Sequence, residues 1–244
     1  MRFFLLPRII YPRYYNDMKP LRPAFLLLSV FMFLAGCLSV YPGYEEDSGY
    51  MESVEQASKG ELNDIQHLLL EEAGNLLGAD KIIVRDRKFN FDCTGVVLAC
   101  YYYAGIDLSR VFPRYSGNGV TRIYRYMEDQ KLLHKAETPQ TGDIIFWDNT
   151  YDRNGDGKEN DELTHIGMVV SSSENGEVVF IHVNYSKGII LEKMNRKRGD
   201  EYMDGNAVIN SPMRMKSAKK SSAWLASHLF RVFGRGYILK PDAD

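Results

Sequence analysis

Cys93 and two of the five histidines are the residues of this sequence best suited to carry out chemistry. Cys93 follows Asp92, a residue type that often caps a helix, at the predicted start of a helix. The free N–H groups and the dipole of a helix N-terminus favour a negatively charged side chain, so we expect the pKa of the Cys93 thiol to be lowered. A thiolate can attack a carbonyl carbon when an imidazole moves the proton and another polar group orients that imidazole.

His165 and His182 are the candidates for those two roles. His165 stands at the beginning of the predicted strand 166–171, and His182 lies within the predicted strand 178–183. Side chains on adjacent strands can lie about 5 Å apart. The pair therefore suits a base and its orienting partner, although either residue alone could be a buried structural histidine. His67, His134 and His228 lie in a predicted helix, a loop-like segment and a short apolar run, and we interpret them as structural or surface residues.

The elements that must position these residues follow from the hydrophobic pattern. Apolar residues recur every three or four positions over 62–77 and again over 93–104, and Gly78 and Gly105 end the two runs, which predicts two helices. A third helix is predicted over 120–130. Helices followed by strands indicate an α+β fold, with the helices packed on an antiparallel sheet of about five strands. Those strands are Asp143–Trp147, Ile166–Ser171, Val178–Val183, Gly188–Lys193 and Tyr237–Leu239.

Composition and charge exclude several classes of protein. The 244 residues are 45% apolar and 25% charged, which rules out a disordered tail, a collagen and a disulfide-stabilised miniprotein. A formal net charge of −2 provides no basic field that would recruit nucleic acid. The sequence has no internal repeat and no sign of a second domain of useful size.

Residues 1–36 are predicted to be a secretory signal, separate from the folded domain. Basic residues precede Ala24–Ala35, a nearly continuous apolar run of 12 residues. As a helix this run would be about 18 Å long, too short for a bilayer core of about 30 Å. Met18, directly before Lys19, is a more natural start site than the first residue.

The apolar run ends in Leu34-Ala35-Gly36-Cys37, which resembles the lipobox of bacterial lipoproteins. This resemblance implies that Cys37 is lipidated and becomes the first residue of the mature chain. The alternative is an ordinary signal cleaved near Gly36. Residues 37–60 lack periodicity and are predicted to be a flexible tether. We therefore expect an exported protein that its lipid holds in the bacterial cell envelope, in either the inner or the outer membrane.

Removal of the signal changes the charge and assigns the cysteines. The remaining chain has 25 basic and 31 acidic residues, a net charge of −6, which strengthens the exclusion of nucleic acid. Cys93 and Cys100 lie two helical turns apart, about 10 Å, which is beyond the reach of a disulfide. We interpret Cys100 as a buried packing residue.

Four ordered segments resemble the successive motifs of the NlpC-type papain-like cysteine peptidases, which are bacterial cell-wall hydrolases. The resemblance covers roughly residues 61–239, and four motifs in order are far more specific than any one of them. Thr94 replaces the serine of the family and keeps the hydroxyl. The segments are Asp92-Cys93-Thr94-Gly95-Val96-Val97, Gly142-Asp143-Ile144-Ile145-Phe146-Trp147, His165-Ile166-Gly167-Met168-Val169-Val170 and Phe180-Ile181-His182.

The resemblance implies a papain-like catalytic domain over residues 61–240. It implies Cys93 as the nucleophile, His165 as the general base and acid, and His182 as the group that orients His165. The backbone N–H of Cys93 would contribute to the oxyanion site. The implied substrate is the stem peptide of peptidoglycan, most often at the bond between γ-D-glutamate and a diamino acid, and catalysis requires no cofactor.

Two alternatives stay open at the level of sequence. The same Cys–His geometry serves a cell-wall amidase or an acyltransferase, and a chain of this fold could be an inactive anchored lipoprotein that only binds the wall. In each case the expected partners are peptidoglycan and, through Cys37, a membrane.

Two departures from the family affect the cleft. Family members often carry a tyrosine about a dozen residues before the cysteine, but residues 79–84 contain none, so no side-chain oxyanion donor is assigned. The polar segment 193–220 is unusually long. We interpret it as a solvated surface loop, with a cap over the cleft as the alternative.

An insertion over 148–163, just before His165, resembles the opening of an EF-hand calcium loop. Oxygen-bearing side chains and a glycine occupy the first positions of that loop, but Leu163 stands where a bidentate glutamate belongs, and strands flank the loop. An ordinary acidic turn is the alternative. We predict a structural calcium ion that rigidifies the loop, held by Asp152, Asn154, Asp156, the backbone of Lys158, Asn160 and Glu162.

Overall fold

Three α-helices precede most of the sheet, close to their predicted positions. In the computed structural model, which describes residues 62–214 and 223–242, they are α1 (Asp64–Leu76), α2 (Cys93–Tyr103) and α3 (Gly119–Asp129). Each follows an asparagine or aspartate whose side chain accepts a backbone N–H of the first turn, which fixes the start of the helix. A short helix, α4 (Ala226–Leu229), comes late in the chain.

Two small hairpins lie outside the main sheet and were not predicted. β1 (Ile82–Val84) and β2 (Arg87–Phe89) are joined through Arg85 and Asp86, both with positive φ, as a tight two-residue hairpin turn requires. β8 (Met203–Asp204) and β9 (Ala207–Val208) form the second hairpin. A further 3₁₀ helix spans Leu108–Arg114.

Over the described residues the main sheet has six antiparallel strands, which confirms the prediction of an α+β fold with a sheet of about five strands. They are β3 (Leu133–His134), β4 (Ile144–Trp147), β5 (His165–Ser172), β6 (Glu177–Asn184), β7 (Gly188–Asn195) and β10 (Phe230–Gly234). Across the sheet the strands lie in the order β3-β10-β4-β5-β6-β7.

The predicted strand at Tyr237–Leu239 is wrong. Gly236–Ile238 is a 3₁₀ turn closed by a bond from the Leu239 N–H to the Gly236 carbonyl. Its backbone packs so tightly on Tyr101 that a Cβ at Gly236 would lie 2.2 Å from the phenol oxygen. The last strand of the sheet in chain order is instead β10. Its few apolar residues are interrupted by Arg231 and followed by a glycine, so the sequence shows no clear alternating pattern there.

Both faces of the main sheet are covered. One face packs against the helices through a cluster that includes Val96, Phe146 and Ile181. The opposite face carries Trp147 and Phe180. The chain beyond β9 covers that face with the side chains of Met213, Ala226 and Leu229.

The interpretation of 193–220 as a solvated loop is correct for residues 201–207, which are exposed, and wrong for both ends of the described part, residues 193–214, which pack against the protein. Asn210 is fully buried there, and its side chain accepts the Asn195 N–H and donates to the carbonyls of Arg198 and Glu201. The segment folds back on β7 because these buried polar contacts replace hydration.

Several sequence predictions lie outside the described residues. The signal peptide, Cys37 and the tether precede residue 62, and residues 215–222 of the polar segment are also outside. These predictions, and the domain boundaries drawn from them, stay predictions. None of the helices in the described part of the chain is both long enough and apolar enough to cross a bilayer.

Candidate active site

The first turn of α2 presents Cys93 in a tightly fixed loop-to-helix junction. Asp92 caps the helix, and its side chain accepts the Gly95 N–H at 2.8 Å. The preceding loop folds back so closely that a Cβ at Gly95 would lie 1.8 Å from the Asn90 carbonyl oxygen. A larger residue therefore cannot replace this glycine without moving the cysteine.

Cys93 is half-buried, and its surroundings disfavour the thiolate. Burial raises the pKa of Cys93 to about 11, and the neighbouring Asp92 carboxylate adds to the increase. The backbone N–H of Ile166 and the groups of Thr94 act in the opposite direction by hydrogen bonding to the sulfur. The expected lowering of this pKa by the helix N-terminus is therefore wrong, because desolvation outweighs it.

His165 and His182 lie side by side at the start of β5 and near the end of β6. His165 Nε2 and His182 Nδ1 are 2.8 Å apart, and the rings meet edge to face. Burial, followed by the proximity of His182, lowers the pKa of His165 well below its ordinary value, so His165 is neutral. Gly167 leaves room for this arrangement, since a Cβ there would lie 2.9 Å from the Ile181 carbonyl and 3.2 Å from the Trp147 ring.

The cysteine and the histidine pair meet where α2 packs on β5. Ile166, whose N–H reaches the Cys93 sulfur, directly follows His165 in the chain. His165 uses Nε2 to contact His182, which leaves Nδ1 as the ring nitrogen that is available to another partner. The structure thus places His165 in contact with His182, and places Cys93 against Ile166, the residue that follows His165.

Glu192 on β7 contacts His182 and so adds a fourth residue to the candidate site. It was not identified from the sequence. Its Oε2 lies 3.1 Å from His182 Nε2, and its side chain is only 7% exposed. A signal was present in the sequence, because Ile190, Glu192 and Met194 share one face of β7 and a charged residue interrupts two apolar ones. Its partner, however, depends on the strand register.

The other three histidines take no part in this site. His67 is exposed on α1. His134 pairs with the buried Asp143, which directly precedes β4, and His228 lies 3.2 Å from Asp200. Their interpretation as structural or surface residues fits these positions.

The stretch in which family members often carry a tyrosine overlaps β1. Its two inward side chains, Ile82 and Val84, are apolar core residues and offer no hydrogen-bond donor. The backbone N–H of Cys93 stays the predicted oxyanion donor.

The insertion over 148–163 forms a loop in which side chains hydrogen-bond to the backbone of the same loop. Asp152 accepts the N–H groups of Gly155 and Gly157, Asn154 accepts that of Asp156, and Asp156 accepts that of Lys158. Glu162 instead faces Arg231 at 3.4 Å. Over residues 62–214 and 223–242, no three His, Cys, Asp or Glu side chains gather as metal ligands would, and the calcium ion stays a prediction.

Comparison with protein families finds a match for this chain. The model of the NlpC/P60 family matches residues 78–208, more than half of the chain, and this range contains Cys93, His165, His182 and Glu192. No curated protein and no solved structure matches significantly.

Proposed function

The chain belongs to the NlpC/P60 family, whose members are in general cysteine peptidases that act on peptidoglycan, and from this membership we propose that it hydrolyses an amide bond of the peptidoglycan stem peptide with Cys93 as nucleophile. The observation that supports the proposal most strongly is the 2.8 Å contact between His165 and His182 beside the N-terminus of α2. We propose the bond between γ-D-glutamate and the diamino acid as the scissile one.

The reaction begins with a proton transfer, because both partners are neutral at rest. His165 Nδ1 takes the proton of the Cys93 thiol while the sulfur attacks the amide carbonyl carbon. The negative charge moves to the carbonyl oxygen, where the backbone N–H of Cys93 stabilises it. The imidazolium of His165 is stabilised in turn by its contact with His182.

The second half of the reaction releases both products. His165 returns the proton to the amine as the C–N bond breaks, which leaves a thioester between Cys93 and the acyl part of the substrate. A water molecule then attacks the thioester while His165 accepts its proton. The thiol is restored and the carboxylic acid leaves.

Digestion of purified peptidoglycan, with fragments identified by mass spectrometry, tests this proposal. Wild type should release fragments that end at D-glutamate, and Cys93→Ala should release none. Cys100→Ala is the matched control, since Cys100 is a buried cysteine two turns along the same helix and should change the fragments little. Equal fragments from wild type and Cys93→Ala would contradict the proposal. Fragments cut between sugar and peptide would identify an amidase instead.

We propose further that the protein is exported and held in the cell envelope by a lipid on Cys37, which lies outside the described residues. Growth of expressing cells with a radiolabelled fatty acid tests this point. Wild type should carry the label and Cys37→Ser should not. Labelling of both to the same extent would contradict the anchor.

A further inference from the structure

We propose that Glu192 is a positioning residue that sets the tautomer of His182 and, through it, the tautomer of His165. The inference rests on the proposed function, in which His165 Nδ1 must be free of a proton to receive one from Cys93. Glu192 does not touch the reacting atoms and acts only through the two imidazoles.

Strand register places Glu192 beside His182. β6 and β7 pair so that Phe180 lies opposite Glu192 and His182 lies opposite Ile190. All four residues share one face of the sheet, and the diagonal neighbour on an antiparallel strand is within reach of a long side chain. Glu192 therefore reaches His182 on the side of the ring away from His165.

The carboxylate of Glu192 is buried and each oxygen has a separate partner. Oε1 accepts a hydrogen bond from Asn184 Nδ2 at 3.1 Å and lies 3.7 Å from Lys187 Nζ. Oε2 lies 3.1 Å from His182 Nε2, an ion-pair distance without the geometry of a hydrogen bond, and neither atom has a hydrogen-bond partner elsewhere in the described part of the chain. A buried carboxylate is costly without partners, so Glu192 and His182 depend on each other.

This arrangement selects one of the two neutral tautomers at each histidine. An ionised carboxylate can only accept, so the proton of His182 belongs on Nε2, and Nδ1 is left as an acceptor. His165 must then carry its proton on Nε2 to donate across the 2.8 Å contact. Its Nδ1 is consequently bare and can accept the proton of the Cys93 thiol.

Replacement of Glu192 by glutamine should move the proton of each histidine to the other ring nitrogen, although glutamine has nearly the same shape as glutamate. Asn184 and Lys187 both present donors to the Oε1 position, so the amide oxygen will face them. The amide NH₂ then faces His182 Nε2 and forces the proton of His182 onto Nδ1. His165 Nδ1 would be protonated and could not act as the base. We expect kcat/KM to fall by at least about tenfold, mainly through kcat, because the wrong tautomer acts on the chemical step.

A double variant offers rescue. In Asn184→Asp/Glu192→Gln the carboxylate and the amide exchange places, so the glutamine NH₂ donates to the new carboxylate at position 184 and the glutamine oxygen returns to His182. This variant should recover at least half of the decrease in log kcat/KM that Glu192→Gln causes. Glu177→Gln is the matched control: Glu177 pairs with Lys193 at 3.3 Å across the same two strands and should leave kcat/KM unchanged.

The tautomers themselves are read by ¹⁵N chemical shifts of the imidazoles in the folded full-length protein. Wild type should show His182 with its proton on Nε2, and Glu192→Gln should show it on Nδ1, with melting temperatures confirming that both are folded. A wild-type His182 protonated on Nδ1, or a Glu192→Gln variant with unchanged tautomer and activity, would overturn the inference. If wild type cleaves no peptidoglycan, the proposed function fails, and the ¹⁵N shifts still decide the role of Glu192.

Discussion

At the residue scale, burial favours the neutral form of both Cys93 and His165, although it shifts their pKa values in opposite directions. Removal from water disfavours the charged form of each group, so it raises the pKa of the thiol and lowers the pKa of the imidazole. Both groups are neutral as a result. The helix N-terminus favours the thiolate by a smaller amount, and the Asp92 carboxylate that caps the helix works against it.

A neutral thiol predicts a particular pH dependence of alkylation. The rate of Cys93 modification by iodoacetamide should rise about tenfold per pH unit from pH 7 towards pH 10, because the thiolate fraction grows in that proportion below a pKa of about 11. Intact-protein mass spectrometry follows the reaction, with Cys93→Ala as the control for the two other cysteines. A rate that stays flat between pH 5 and pH 8 would indicate a preformed thiolate–imidazolium pair and contradict this prediction.

Residues differ in how far the sequence predicts their roles. Cys93, His165 and His182 stand in ordered motifs whose residue types alone suggest the chemistry. Glu192 could not be assigned, because its contact with His182 is a diagonal one that depends on the register of β6 and β7. The raised pKa of Cys93 could not be predicted from the sequence either, since it depends on how deeply the helix N-terminus is buried.

At the scale of elements, the insertion 148–163 is held at both ends by one side chain of β10. Arg231 contacts Asp148 at 2.9 Å and Glu162 at 3.4 Å, and these two contacts fix where the loop ends, directly before His165. Asp148 also accepts the Leu163 N–H at 2.7 Å. The start of the strand that carries His165 is therefore positioned by ion pairs that a distant part of the chain supplies.

The predicted calcium site belongs to this loop and can be tested by melting temperature. At a calcium concentration of 100 times Kd, binding to the folded state would add about 2.7 kcal/mol, which raises Tm by roughly 5–10 °C in a domain of this size. The sample is first treated with a chelator, and Asp156→Asn should reduce the response. A Tm that calcium leaves unchanged would show that the loop is an acidic turn.

The elements themselves were predictable to different degrees. The three helices and the strands β4 to β7 have enough periodic residues to be recognised, and their bounds differ from the predicted ones by at most two residues. β3 and the hairpin strands are too short to show a period, and β10 owes its place to pairing with β4, as Phe233 opposite Ile145 shows. Tertiary contacts therefore decide the elements that the pattern leaves undefined.

At the scale of the whole molecule, the sheet depends on the last part of the chain. β10 lies between β3 and β4, although it follows every other strand in sequence. The same segment covers the face of the sheet opposite the helices, where Trp147 Nε1 donates to the Ala226 carbonyl at 2.9 Å. Removal of this segment would leave Trp147 and Phe180 in water.

Truncation after residue 222 is therefore expected to abolish cooperative folding, although every residue of the candidate site is still present. Loss of several fully buried aromatic contacts costs about 3–5 kcal/mol each, which together exceeds much of the stability of an ordinary domain. Circular dichroism during heating measures this. The matched control is truncation after residue 242, which should melt as the full chain does. A cooperative transition in the 222 truncation would contradict the prediction.

The late position of β10 also means that the sheet cannot be completed until the last part of the chain has been synthesised. Until about residue 234 has emerged, β4 has no neighbour on one side, and Trp147 beside His165 lacks its cover. A chain secreted from its N-terminus, as proposed, would thus cross the membrane with Cys93 and both histidines present but not yet aligned. Under the proposed function, chain order would delay cleavage of the wall until translocation is nearly complete.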